Sequence, residues 1–316
     1  MFALIVITGP TAVGKTALTT EIARHYGVPV VNADSRQIYC ELPIGTAAPT
    51  ADEMLGVKHY FVGNKSITEY YNASMYEQEV LALIDSLTDK TSPPSPAPGT
   101  TTDILAVMSG GSMMYVDAVC NGIDDIPTIR DDIRSMMKQR LADEGLEALA
   151  DELKRLDPDH WQTVDRQNPR RVVHALEICH QTGQSYTSFR TRTRKERPFK
   201  IVKIGLSRPR EELYDRINRR VDRMMTEGLL QEAEQLFPHR HLNALNTVGY
   251  KELFEYMLGH CTLQEAVERI KGNTRRYARK QLTWLKRDPQ IRWFGPDQQS
   301  DILRYIDAAV RQDSGQ

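Results

Sequence analysis

Cysteine is scarce in this chain of 316 residues, and the four present, Cys40, Cys120, Cys179 and Cys261, lie far apart with no C-x-x-C spacing. That excludes a disulfide framework and a cysteine-ligated zinc module, and it suits a reducing cytoplasm, where we expect the protein to reside. Long apolar runs are also missing. No segment could cross a bilayer, and the opening apolar stretch ends after about six residues, too short for the core of a signal peptide. Excess charge of either sign is absent: 41 Lys and Arg face 42 Asp and Glu, for a formal charge of −1. A global polyanion-binding character is thereby excluded, and any basic surface must be local. No internal repeat is found. With 40% hydrophobic and 26% charged residues, the chain reads as an ordinary globular protein, long enough for a core domain plus an inserted or appended unit.

What the chain does have is one stretch that organises the rest: Gly9, Pro10, Thr11, Ala12, Val13, Gly14, Lys15 and Thr16. It follows an apolar run at 3–7 and precedes an amphipathic stretch at 17–26, so it reads as strand, glycine turn, helix. The spacing G-x-x-x-x-G-K-T is that of a phosphate-binding loop. Gly9 and Gly14 allow the backbone to curl until its N–H groups face one anion, and the helix beginning near Lys15 adds its positive end. Lys15 supplies a point charge. The Thr16 hydroxyl is placed to ligate Mg2+. The loop predicts a polyphosphate without saying which compound carries it.

Apolar runs at 3–7, 29–33, 104–108 and 201–206 alternate with helical patterns, which predicts an α/β fold: a parallel sheet flanked by helices. Helices are expected at 69–87, 130–144, 146–155, 171–181, 210–226, 229–236, 250–258, 263–286 and 302–311, with Thr50 capping a further one. The segment 90–103 holds four prolines and six hydroxyl residues and reads as an exposed excursion. From 122 to 198 the pattern is helical without a strong strand. It predicts a helical domain inserted into a core formed by residues 1–121 and completed, with a helical C-terminal region, by 199–316.

Ligands in an open parallel sheet bind beyond the carboxyl ends of the strands. Asp34 and Ser35 end the second predicted strand and share the rim with the loop. Asp34 has three possible duties there: Mg2+ ligand, general base, or cap of the turn that follows. A second glycine turn, at 109–112, follows the third predicted strand. Arg216 and Arg220, like Arg219 and Arg223, are spaced i, i+4 on one helix, so either pair could clamp a leaving pyrophosphate or merely pair with Asp215 and Asp222. Between Arg269 and Arg287 stand eight Lys and Arg and no acid, interleaved with Tyr277 and Trp284. That composition predicts nucleic-acid contact through Arg275, Arg276, Arg279 and Lys280, with Arg170, Arg171 and the basic run at 190–200 extending the surface.

Blocks at 9–16, 32–39, 44–47, 168–177, 248–252 and 274–285, with Gly110-Gly111-Ser112 and Tyr115, together resemble the bacterial tRNA dimethylallyltransferases, or tRNA isopentenyltransferases, in order and over most of the chain. His59-Tyr60-Phe61 stands where that family usually has His-His-Leu, Ser112 where it has Thr, and Asn168 where it often has Asp. The resemblance implies transfer of a dimethylallyl group from dimethylallyl diphosphate to N6 of the adenosine 3′ of the anticodon in tRNA. It implies a loop that holds this donor rather than ATP, with Mg2+ at Thr16. Asp34 would take the N6 proton. Lys15, Thr16 and Arg220 would stabilise the departing pyrophosphate, with Arg216 beside them. Asp34, Ser35, Arg36, Gln37, Ser112, Arg170, Arg171, Val172, Val173 and His174 would bind tRNA. The partners implied are the anticodon stem-loop and the diphosphate; no membrane association is expected, and the protein is expected to be a monomer. Three rival readings remain by sequence: a small-molecule kinase with ATP in the loop, an isopentenyltransferase acting on free adenine nucleotides, and a non-catalytic RNA-binding protein.

Overall fold

The computed structural model describes residues 2–88, 103–191 and 193–311. It divides into two compact units, Met1–Cys120 with Arg197–Gln316, and Asn121–Glu196. The proline-rich segment lies outside the described residues up to residue 102.

The first unit is built on six parallel strands: β1 Ala3–Thr8, β2 Val30–Asn32, β3 His59–Tyr60, β4 Ile104–Gly110, β5 Lys200–Leu206 and β6 Arg292–Phe294, in the order β3-β2-β4-β1-β5-β6. The four strands visible in the sequence are the inner four. β3 and β6 escaped notice because edge strands of two and three residues carry no readable pattern. β1 is central and buried along its whole length, as a parallel strand covered on both faces must be. Its side chains alternate between two cores: Leu4 and Val6 enter one, Ala3, Ile5 and Ile7 the other. Helices Lys15–Tyr26, Arg210–Thr226 and Gln299–Arg311 cover the second face through Ile22, Leu213, Ile217, Ile302 and Ile306. Tyr76, Val80 and Ile84 of helix Ala73–Thr88 and Val119 of Met113–Asn121 cover the first.

Helix ends follow local chemistry. Ala73–Thr88 begins later than the periodicity suggests because the Asn72 side chain accepts the Met75 N–H at 2.9 Å and starts the helix there. Thr50 and Glu53 close a capping box on the short helix Ala51–Met54. In the basic C-terminal region, Thr262 and Glu265 do the same for Leu263–Leu285.

The second unit is helical. Asp131–Leu156 is broken at Gly145 (φ 82°, ψ 169°), which gives the two helices expected on either side of it. Pro158–Thr163 and Pro169–Thr182 follow, and Met137, Leu149, Leu153, Val172, Ala175 and Leu176 form the unit's own core. Buried Asp157 ties it together by accepting from the His160 N–H and from both the N–H and the hydroxyl of Thr187.

Candidate active site

Four strand ends meet on one rim of the first unit. β1 runs into the 9–16 loop. Gly9 has φ 155°, and a Cβ there would sit 2.8 Å from the Leu206 carbonyl oxygen, so only glycine lets the loop leave the sheet beside β5. Gly14 has φ 111° and opens helix Lys15–Tyr26. Lys15 is folded onto the loop itself: its Nζ donates to the carbonyls of Gly9 (2.9 Å) and Pro10 (2.8 Å). Burial draws its pKa down to about 8, against the pull of Asp34 and in concert with Arg220. Thr16 is exposed in the first helical turn.

Three arginines surround the loop. Arg216 Nε donates to Ala12 O at 2.8 Å, and Arg220 reaches the Thr11 hydroxyl and Thr46 O, each at 3.3 Å. The i, i+4 pair that faces the loop is therefore Arg216 and Arg220. Arg219 turns outward to Asp215 at 2.7 Å. Burial lowers the pKa of Arg220, with Asp34 opposing the shift. The third, Arg208 at the end of β5, donates to Val13 O at 2.8 Å and pairs with Glu212. Sequence reasoning passed over it, although Ser207 and Arg208 end a strand on the same rim.

β2 leads to Asp34. Its Oδ1 accepts the N–H groups of Arg36 (2.9 Å) and Gln37 (3.4 Å), so the capping duty is real. Its Oδ2 has no hydrogen-bond partner among the described residues. The adjacent side chains brace the walls. Arg36 donates to the carbonyls of Asn243 and Ala244 (2.9 and 3.1 Å), and Gln37 Nε2 to those of Thr46 and Ala47 (3.1 and 3.0 Å). β4 ends at Gly110, where a Cβ would lie 2.2 Å from Ala33 O, so this glycine lets the two strand ends come together, while a Cβ at Gly111 would meet Gln281 Nε2 at 2.4 Å. Ser112 is buried. Its Oγ accepts the Ser35 N–H at 2.8 Å, and its hydroxyl donates to Ser35 Oγ at 3.0 Å, which makes it a support for the Asp34 turn.

Gln281, 1% exposed, lies inside the 274–285 block and carries no signal of its own in the sequence. Its Oε1 accepts the Thr11 N–H (2.9 Å) and its Nε2 donates to Gly111 O (2.7 Å), clamping the loop to the second glycine turn. Glu232 is a second unforeseen brace. It accepts from Ile44 N (2.9 Å), Gly45 N (2.8 Å) and the Tyr250 hydroxyl (2.6 Å), and so fixes the segment that carries Thr46. Both are polar groups whose burial emerges only from tertiary packing.

These parts enclose a cavity of about 550 Å³. Thr11, Asp34, Arg220, Arg276 and Lys280 give it polar walls, and Ile217, Val221, Met224, Leu229, Val248 and Ile270 an apolar side. Of the basic helix, Arg276, Arg279 and Lys280 are exposed, whereas Arg275 is tied to Asn218 Oδ1 at 2.5 Å. The 170–174 block lies on the first turns of Pro169–Thr182 in the second unit, where Arg170, Arg171 and His174 are exposed. Val172 needs correcting: it is fully buried in that unit's core, so its side chain cannot meet a partner. Among the described residues no group of three His, Cys, Asp or Glu could hold a metal, and no helix is long and apolar enough to cross a membrane.

A glycine loop between the first strand and helix of a parallel sheet, with arginines around it and a half-apolar chamber behind, defines an α/β protein of the P-loop type. Residues 37–288 match the family model described as IPP transferase, and the chain belongs to that family. It is 56% identical to tRNA dimethylallyltransferase 1 of Phocaeicola vulgatus over 96% of this chain and 97% of that protein. Among solved structures, the tRNA isopentenylpyrophosphate transferase of Bacillus halodurans superposes with a TM-score of 0.70 at 33% identity, covering 99% of this chain and 98% of the other. A eukaryotic dimethylallyltransferase acting on tRNA shares the fold, with a TM-score of 0.77 at 23% identity over 99% of this chain and 79% of its own.

Proposed function

We propose that the protein transfers the dimethylallyl group of dimethylallyl diphosphate to N6 of the adenosine immediately 3′ of the anticodon in tRNA, releasing pyrophosphate. The observation that carries this reading is one chamber in which an arginine-flanked glycine loop, a carboxylate oxygen without a partner and an apolar wall converge. An ATP-dependent kinase has no need of the acid-free basic stretch on helix Leu263–Leu285.

In the reaction the allylic C–O bond breaks, a bond forms from that carbon to N6, and the N6 proton goes to a base. The loop amides, Lys15, Arg216 and Arg220 meet the charge that builds on the leaving pyrophosphate. Lys15 exchanges the carbonyls of Gly9 and Pro10 for phosphate oxygens. Asp34 Oδ2 takes the proton while Oδ1 stays on the turn amides, so the base is aimed before the adenine arrives. Reaching it requires the base to leave the anticodon stack. Exposed Arg276, Arg279 and Lys280, and Arg170 and Arg171 on the other unit, supply cationic contacts for the RNA, and exposed His174 a polar one.

The donor set suits one Mg2+. The exposed Thr16 hydroxyl would hold it together with the diphosphate oxygens and waters, a coordination that needs no carboxylate cluster, and the ion would neutralise charge on the diphosphate. A tRNA substrate is in keeping with a cytoplasmic location.

The test is transfer of radiolabel from dimethylallyl diphosphate to mixed tRNA. Label in tRNA is expected. ATP consumption with no label in tRNA would overturn the reading in favour of a kinase. Preference for AMP over tRNA would overturn it in favour of an enzyme of free nucleotides.

A further inference from the structure

The apolar side of the cavity has a measurable depth. Helices Arg210–Thr226 and Leu263–Leu285 lie side by side, and two contacts set their register: Asn218 with Arg275 at 2.5 Å, and Asp222 with Lys271 at 2.8 Å. Moving four residues forward on one helix moves four residues back on the other, so the pair is antiparallel. Arg220 then stands level with Asn273, and Met224 level with residues 269–270. Arg220 touches the loop through Thr11. Met224 and Ile270, both lining the cavity, therefore lie at one level, about one helical turn or 5.4 Å farther along the helix than Arg220, on the side away from Arg216. Val221 and Leu229 complete the apolar end, and Met224, Ile270 and Leu229 are 9%, 2% and 0% exposed. A diphosphate held between the loop and Arg220 sends its chain along this helix face, and a branched five-carbon chain is about as long as one helical turn.

Resting on the proposed function, we infer that Met224 and Ile270 form the end wall that limits the donor to a single five-carbon isoprene unit, with Met224 the principal stop. A second isoprene unit needs roughly another turn of depth, which the methionine side chain fills. Methionine is unbranched and flexible, so it closes the recess tightly around a small chain, and its truncation opens the end without disturbing the polar walls.

The experiment compares dimethylallyl and geranyl diphosphate as ligands, by calorimetry in the presence of Mg2+, and as donors in the tRNA assay. The wild-type protein is expected to bind and use the five-carbon compound and to reject the ten-carbon one. Met224→Ala is expected to raise the ten-carbon to five-carbon ratio of kcat/KM by about tenfold or more, the discrimination typical of apolar pockets. Met224→Phe is expected to weaken binding of the five-carbon donor. If Met224→Ala does not fold, as judged by its melting curve, Ile270→Val puts the same question from the facing helix. The inference is overturned if the wild type accepts both donors equally, or if a folded variant keeps the wild-type ratio. Calorimetry reads the recess without RNA, so a protein that discriminates between the two diphosphates yet never labels tRNA would overturn the proposed reaction and leave the wall standing.

Discussion

Glu232 lies outside the chemistry, yet substitution there is expected to reach it. Its two oxygens accept three hydrogen bonds, from Ile44 N, Gly45 N and Tyr250 Oη, and it is only 8% exposed. In Glu232→Gln the remaining oxygen can keep Gly45 and Tyr250, but the new amide nitrogen then confronts the Ile44 N–H, donor against donor. Flipping the amide only moves the conflict to the Gly45 N–H, since the Tyr250 hydroxyl can turn to accept. The change removes one charge-assisted bond and leaves a buried donor unpaired, a cost of about 2–3 kcal/mol. For a unit of this size that lowers Tm by roughly 4–12 °C. The displaced segment carries Thr46 O, which holds Arg220 at 3.3 Å and Gln37 at 3.1 Å, so kcat/KM for the donor is expected to fall about tenfold, or ~1.4 kcal/mol. Tyr250→Phe removes a single bond and is expected to cost about 1 kcal/mol. Differential scanning calorimetry and the transfer assay read both effects. An unchanged Tm and kcat/KM for Glu232→Gln, or equal losses in the two variants, would refute the reasoning.

Asp34→Asn keeps an oxygen on the turn amides but cannot take a proton. It is expected to lower kcat by about 10²–10⁴-fold while tRNA binding by filter retention stays near wild type; wild-type turnover would remove Asp34 as the base. Lys15 is charged below its pKa of about 8 and neutral above it, so donor kcat/KM is expected to decline as pH rises through that value, and the decline is expected to vanish in Lys15→Gln. Gln281→Glu preserves the acceptor for Thr11 but sets an oxygen against Gly111 O, with an expected loss of about 1–3 kcal/mol in Tm-derived stability; a melting curve matching the wild type would show that the clamp is dispensable. Removing exposed Arg279 is expected to weaken tRNA binding and to reduce the slope of log K against log salt by about one; an unaltered slope would place it off the RNA.

The inner strands and most helices were legible because each carries either a near-continuous apolar run or an amphipathic repeat. The loop at 9–16 was legible because its glycines answer to backbone geometry, which sequence spacing encodes directly. Asp34 was found for a related reason: its place at a strand end depends on topology that the strand pattern already implies. The braces were not legible. Gln281 and Glu232 look like ordinary polar helix residues until the chain folds and buries them against partners 270 and 188 residues away. Nor could i, i+4 spacing decide between the two arginine pairs, because a helix face acquires meaning only from what packs against it. The burial of Val172 was hidden for the same reason: successive helical residues turn by about 100°, so one block can hold both exposed Arg171 and a side chain in the core.

The position of β1 has a consequence for the order in which the molecule comes into being. The first strand to be synthesised is paired on one side with β5, Ala3 against Lys200, and the clamp on its following loop is Gln281. Contacts of such separation close slowly and late. A nascent chain therefore carries its 9–16 loop for most of its synthesis with one flank of β1 open, while residues 121–196, which own a separate core, emerge and can condense in between. A ribosome-bound fragment ending before β5 has an unpaired central strand edge, which is an aggregation hazard, and one ending before residue 281 lacks the clamp. Catalytic competence arrives only with the last fifth of the chain, so truncated products should be unable to act on tRNA even when most of the sheet is in place.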